Sequence, residues 1–344
     1  MDDKDDASAD GRAGRRDPAP DRRGFTTWPL RVRAVVAAVA VAAVTAGAGA
    51  ALADNLTNAF GPDSVCGGAV SAGALNDALG WGKVSATTYG DGKLDAPGAS
   101  CVVTVDNGVF GNERVVVVEL PTAGDLARFK VDAESQLFTA AANGGAAGAV
   151  HTSSYAFALL PEGCAKGQRA TVKSGSSDAS KLAGLATSVA NRVAAQQGCG
   201  GAPLPAPSRL TAAGTDRPLD RDAVCGLPGL TVPATPGGPD YRETVTTASD
   251  PLWACSIRAV ADRRSSITFV IDTDPRLVRP WTGDSEPAFG RAQWAGQNEV
   301  TATCQGKPTR FRFEADGFRD LIGATTWEQF LTAGGRAIGC EPIL

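Results

Sequence analysis

The chain is almost without histidine: His151 is its only one in 344 residues, beside a single methionine and three tyrosines. A repeated Ser–His or Cys–His relay is therefore excluded, and a histidine-built zinc site lacks its ligands. There is no Cys-x-x-Cys pair and no Gly-x-Ser-x-Gly elbow. No glycine-rich loop cradles a phosphate, and no cofactor is expected. An excess of positive charge is missing too. With 33 Lys and Arg against 37 Asp and Glu the net charge is −4, which speaks against nucleic acid as a partner, because phosphate contacts need a basic face. Cysteine is missing before position 66, although eight follow.

What is present falls into blocks. Residues 1–33 mix eight basic side chains with seven aspartates and few apolar ones. Such a stretch cannot bury enough surface to fold alone, and it reads as a disordered cytoplasmic tail. Residues 34–53, "AVVAAVAVAAVTAGAGAALA", carry no charge. Twenty helical residues reach about 30 Å, the thickness of a bilayer core, so the segment reads as a single transmembrane helix or signal-anchor. Arg31 and Arg33 precede it and Asp54 follows. The positive-inside rule then puts the N-terminus in the cytoplasm and residues 54–344 outside. The alternative is secretion after cleavage near Ala53, since "ALA" at 51–53 has the small-x-small form of a cleavage site.

The cysteines organise the remainder. Cys66, Cys101, Cys164 and Cys199 are separated by 35, 63 and 35 residues, and Cys225, Cys255, Cys304 and Cys340 by 30, 49 and 36. An even number confined to an exported region implies disulfides. Each set opens on Asp-x-Val-Cys-Gly, "DSVCG" at 63–67 and "DAVCG" at 222–226. Each continues with a hairpin pattern after its second cysteine, a short strand after its third, and a helix ending Gly-Cys at its fourth. The expectation is a tandem repeat: extracytoplasmic domain 1 over 54–199, a Pro/Gly/Ala-rich linker over 200–221, and domain 2 over 222–344. Four cysteines permit three pairings. The middle gap changes by 14 residues while the third-to-fourth gap barely changes. A length change is best tolerated where it leaves both closed loops alone, so first-with-second and third-with-fourth pairing is expected in each set.

In the first set, helices are expected near 67–80, 124–138 and 178–196. Strands are expected at 101–105, 113–120, 154–160 and 167–173, and a loop at "GGAAGA" (144–149). In the second set, "GLPGLTVPATPGG" (226–238) and "DPRLVRPWTGDSEP" (274–287) should be loop-like or truncated, because their prolines oppose helix. The fold class is α+β: two tandem disulfide-stapled sandwich domains with mostly antiparallel sheets, after one N-terminal helix. This layout, with "LWAC" at 252–255, resembles a four-cysteine domain of actinobacterial cell-envelope lipoproteins. Such domains look like the α–β–α sandwich of the PsbP and Mog1 proteins. The resemblance implies an envelope location and a binding role. It brings no catalytic residues, and Cys66 follows "DSV" and not a lipobox.

Few residues invite chemistry. His151 reads as solvent-exposed, after "GGAAGAV". Asp272 and Asp274 in "IDTDP" share one face of an extended segment, where a carboxylate pair could hold a cation or transfer a proton. A strand leaving the sheet into water often ends in acids, which is the preferred reading, and no metal site is expected. Trp281, in "RPWTGD", could line a ligand groove. "RFRF" (310–313) reads as a strand with one solvated face. The expected function is non-enzymatic: a membrane-anchored envelope protein that binds another envelope protein, a lipid or a cell-wall fragment. The alternatives are an extracytoplasmic hydrolase using Asp272 and Asp274, and a sensor or assembly factor.

Overall fold

The Ala- and Val-rich run after Arg33 contains no proline, and residues Leu30–Thr57 form one 28-residue helix, α1. Its Val35, Val39, Val41 and Val44 are exposed. Among the described residues no helix is long and apolar enough to cross a membrane. The segment 34–53 is thus helical. Residues 30–33, expected in the disordered tail, are the first turn of α1. In this computed structural model the described residues are 29–59, 61–89, 94, 96–107, 112–121, 131–139, 146–151, 154–161, 163–164, 168–175, 178–199, 201–207, 209–233, 240–246, 252–261, 266–274, 278, 287–296, 298–316, 323 and 325–344. They divide into an N-terminal unit ending at Ala51 and a body from Leu52 onward.

The body starts with a small hairpin, β1 (Ser64–Val65) and β2 (Val70–Ser71), around Cys66. The helix α2 (Ala72–Leu79) follows, buried on Leu75, Ala78 and Leu79. Seven strands then form an antiparallel sheet: β3 (Lys83–Tyr89), β4 (Ser100–Asn107), β5 (Asn112–Glu119), β6 (Ser135–Thr139), β7 (Ala146–His151), β8 (Tyr155–Leu159) and β9 (Arg169–Ser174). Their order is β3-β4-β5-β9-β8-β7-β6. The helix α3 (Ala179–Gln197) lies on one face, capped by Asp178 and ended by Gly198 in the left-handed region. Leu182, Leu185, Ala186, Val189, Ala190 and Val193 form its buried stripe, at the spacing a core-facing helix requires.

The second sheet has eight antiparallel strands: β10 (Thr215–Pro218), β11 (Tyr241–Val245), β12 (Leu252–Ala259), β13 (Ser266–Asp272), β14 (Pro287–Phe289), β15 (Ala292–Gly296), β16 (Glu299–Cys304) and β17 (Lys307–Asp316). The order is β10-β11-β12-β13-β17-β16-β15-β14. Without β10 it repeats the strand order of the first sheet. The helix α4 (Thr326–Ala337) buries Phe330 and Leu331 against Phe269, Ile271 and Phe311. The four disulfides are Cys66–Cys101, Cys164–Cys199, Cys225–Cys255 and Cys304–Cys340. The Cys-Gly of each opening motif has a backbone reason. Cys66 and Gly67 have φ of 57° and 66°, and Cys225 and Gly226 have 63° and 71°. Two successive left-handed residues favour a glycine at one of them.

The largest departure from expectation lies between the sheets. Along β8, Ala156 and Ala158 face α3, while Phe157 and Leu159 join a separate core with Leu252, Ala254 and Val270 of the second sheet. Part of each sheet's second face, around β6–β8 of the first and β12–β13 of the second, is therefore covered by the other sheet, with helices on the outer faces. β12 and β13 are buried along nearly their whole length. "RFRF" consequently has no solvated face: Phe311 and Phe313 point toward α4, and Arg312 is only 2 % exposed. The helix expected over 124–138 is overturned at 135–139, which form β6. Phe138 packs in the α3 core and Leu137 in the inter-sheet core, and burial of adjacent residues on opposite sides is a strand property. Residues 124–130 lie outside the described set. "GGAAGA" is not a loop either, since 146–149 belong to β7. A side chain at Gly148 would lie 2.0 Å from the Phe157 carbonyl oxygen, so the glycine permits close strand approach.

The segment between Cys199 and Cys225 is no free spacer. Asn191 holds Leu204 through two hydrogen bonds of 2.8 Å. Thr211 bonds Leu137 through both its N–H and its hydroxyl, at 2.8 Å each. The Gly214 N–H donates to the Ala133 carbonyl, and residues 215–218 enter the second sheet as β10.

Candidate functional site

The inter-sheet layer turns polar toward one end of β13. Strand register places Asp272 opposite Arg310, and Arg310 opposite Thr301. Arg310 Nη2 donates to Asp272 Oδ2 at 2.9 Å, and the Asp274 N–H donates to Asp272 Oδ1 at 3.0 Å. Arg310 Nη1 lies 3.6 Å from Glu299 Oε1. Asp272 is fully buried and Asp274 is 3 % exposed. Burial pushes the Asp272 carboxyl up to about 6, against the pull of Arg310 and the Asp274 N–H. The reading of these residues as a strand end in water is corrected: both are buried. Each Asp272 oxygen already accepts a hydrogen bond, which is the arrangement of a structural ion pair.

Arg312, two residues further along β17, crosses between the halves. Its Nη2 donates to the Val131 carbonyl at 2.6 Å, and its Nε lies 3.8 Å from Glu314. Burial lowers its pKa. Beside Val131 sits the second polar group, centred on Asp132. Its Oδ1 accepts the Ser135 hydroxyl at 3.2 Å and the Glu134 N–H at 2.9 Å, and its Oδ2 lies 2.9 Å from His151 Nε2. Glu134 pairs with Arg258 of the second sheet.

His151, read as solvent-exposed, is in fact half-buried. It ends β7 opposite Ser135, with 30 % side-chain exposure, in an ion pair with Asp132. The hydrogen bond to Asp132 raises the imidazole pKa, with burial opposing. For Asp132, burial works upward, but the His151 bond and charge and the Glu134 and Ser135 bonds together hold it below the usual range. Serine, histidine and aspartate meet here, yet the hydroxyl is directed to the carboxylate and not to the imidazole. The carboxylate is the hub of the cluster, holding the Ser135 hydroxyl, the Glu134 N–H and the His151 ring. Sequence reasoning missed it because Asp132 lay in the expected helix and His151 after the expected loop. The solitary histidine was the one available signal.

One further group has metal-like composition. Cys225, Cys255 and a fully buried Glu243 lie together. Both sulfurs are committed to their disulfide, while Glu243 accepts the Cys225 N–H and Arg217 Nε, both at 2.7 Å. The donor set therefore fits a brace for the Cys225 turn and does not fit a cation. Trp253, Trp294 and Trp327 pack among Phe289, Phe313 and Phe330 in the α4 core. Trp281 lies outside the described residues. Near Arg169, a cleft of about 10 Å³ between Leu120, Leu160 and Gln197 has room for about one water. No protein family, curated protein or solved structure matches the chain.

Proposed function

We propose that this chain is a non-enzymatic, extracytoplasmic binding protein of the cell envelope, held at the membrane by residues 34–53. The observation that carries this reading is the distribution of cysteine: all eight lie beyond the apolar segment, and all eight are paired. Disulfides persist in oxidising compartments. The tether is supported by the twenty uncharged residues, the flanking Arg31 and Arg33, and the exposed valines of α1. Two units of common ancestry, 54–199 and 222–344, make up the body in this reading, and the repeated strand order supports that division. The two candidate acid–base groups, Asp272 with Arg310 and His151 with Asp132, are each held in an ion pair, which favours binding over hydrolysis.

The partner is another envelope protein, a lipid or a cell-wall fragment. Membrane fractionation followed by crosslinking and pull-down of the full chain tests both parts. The expected result is an alkaline-resistant membrane fraction and one reproducible partner. A chain released by alkali would sink the tether, and specific recovery of nothing would sink the binding role.

A further inference from the structure

A β-sheet edge invites another strand, and proteins blunt such edges with prolines, charges, short strands or covering segments. Three of the four edges of the two large sheets are blunted. Leu210 and Thr211 lie along β6. β10 has four residues and ends in Pro218, and its Asp216 and Arg217 are tied to Arg242 and Glu243. β14 has three residues starting at Pro287, with an irregular register, and the adjacent Arg291 N–H donates to Ile343 of the C-terminal segment.

β3 is different. It has seven residues, "KVSATTY", with no proline and one charge. Ser85, Ala86 and Thr87 are exposed, and no described strand pairs with its outer side. One contact fixes which backbone groups face outward. The Val84 N–H donates to Asn58 Oδ1 at 2.9 Å, so in antiparallel alternation Val84, Ala86 and Thr88 point away from β4. Asn58 caps the first of these and leaves the next two as a short template.

The second sheet shows what such a position accepts. β11 corresponds to β3, because Val245 lies opposite Cys255 as Thr88 lies opposite Cys101. On the outer side of β11 runs an antiparallel strand of this same chain, β10. The first sheet has no equivalent among the described residues, seven strands against eight.

We propose that a second copy of this chain fills that position, its β3 pairing antiparallel with the first about a twofold axis through Thr87. The register follows from the open groups. Ala86 lies opposite the partner's Thr88, and Thr88 opposite the partner's Ala86. Each outward pair exchanges two backbone hydrogen bonds, and the Asn58 cap of Val84 stays intact. Thr87 meets its own counterpart at a Cα separation of about 4.5 Å, where facing threonines favour the pairing. The strand's one charge, Lys83, lies at its start, away from the axis, so like charges never oppose. Twofold pairing also consumes both open edges at once, whereas a head-to-tail use would leave one exposed.

The test uses the full chain in mild detergent. All native cysteines are paired, so Thr87→Cys introduces one thiol. Under mild oxidation it is expected to give a disulfide-linked dimer as the main species, and Ser85→Cys, opposite the partner's Tyr89, at most about a tenth as much. Thr87→Lys and Thr87→Glu should each lower the dimer fraction at least about tenfold, because like charges then oppose on the axis. Mixing the two variants should restore it. Ala86→Pro removes only outward donors and should also yield monomer. A monomer at every concentration would overturn the proposal, and so would a dimer insensitive to these substitutions, the result expected of association through α1. If a charged variant loses its native melting transition, the Thr87→Cys crosslink decides the question by itself. The pairing does not depend on the membrane tether, so either can fail without the other.

Discussion

A solitary histidine makes a clean titration. His151 is the chain's only one, and no free thiol accompanies it among the eight paired cysteines. Its pKa is raised above 6.5, mainly by the Asp132 bond, so the folded state binds its proton more tightly than the unfolded one. The stability gained is fully present below about pH 6.5 and is lost as pH rises through the higher folded value. Asp132 works in the other direction. Its lowered pKa contributes above 3.8 and is lost as pH falls through the folded value. Among the described residues, charges that bear on the pair include Glu134 from the same turn and Arg312 from β17, with Arg258 on Glu134. Asp272, pushed up to about 6, changes over a lower range, from its ordinary carboxylate value up to that point. Above pH 6.5 the histidine therefore dominates. Thermal melting should show stability falling from pH 6.5 to 8.5 by up to about 1 kcal/mol, and His151→Gln should flatten that slope. An unchanged slope in the variant would remove the ion pair from the account.

At the scale of elements, the glycines of "GGAAGA" show where a local reading fails. Gly148 sits inside β7, where an added Cβ would meet the Phe157 carbonyl oxygen, the Phe138 ring and the Ala158 backbone. Two of those obstacles are backbone and cannot swing aside. Gly148→Ala should therefore destabilise the fold by roughly 3 kcal/mol or more, measured by urea unfolding. A loop residue would tolerate the change within about 0.5 kcal/mol. The same strands define what was legible. Cysteine spacing, the hairpin of β4 and β5, and α3 with its cap and terminal glycine all carry their signal in adjacent residues. β6 does not. Leu137 and Phe138 are both buried, on opposite sides, so the polar–apolar alternation that marks a half-solvated strand is lost. The candidate site was hidden for a related reason. Asp272, Arg310 and Arg312 look like solvated charges until strand pairing brings Arg310 to Asp272 and Arg312 reaches the Val131 carbonyl, contacts that join residues far apart in the chain.

For the whole molecule, shared burial decides whether the two halves can act alone. The inter-sheet core draws Phe157 and Leu159 from one sheet and Leu252, Ala254 and Val270 from the other. Arg312 reaches the Val131 carbonyl, Gly214 bonds Ala133, and Arg258 pairs with Glu134. Unfolding either half alone would expose this apolar layer and strand a buried arginine, each costing several kcal/mol. The body should therefore unfold in one cooperative transition. Leu331→Ala distinguishes the cases, because Leu331 is buried under α4, on the outer face of the second sheet. The substitution should cost about 2–5 kcal/mol. In hydrogen exchange, amides of α3 in the first half should lose protection by the same amount as amides of α4. If α3 kept its protection while α4 lost its own, the halves would be independent domains and the inter-sheet layer only a contact between them.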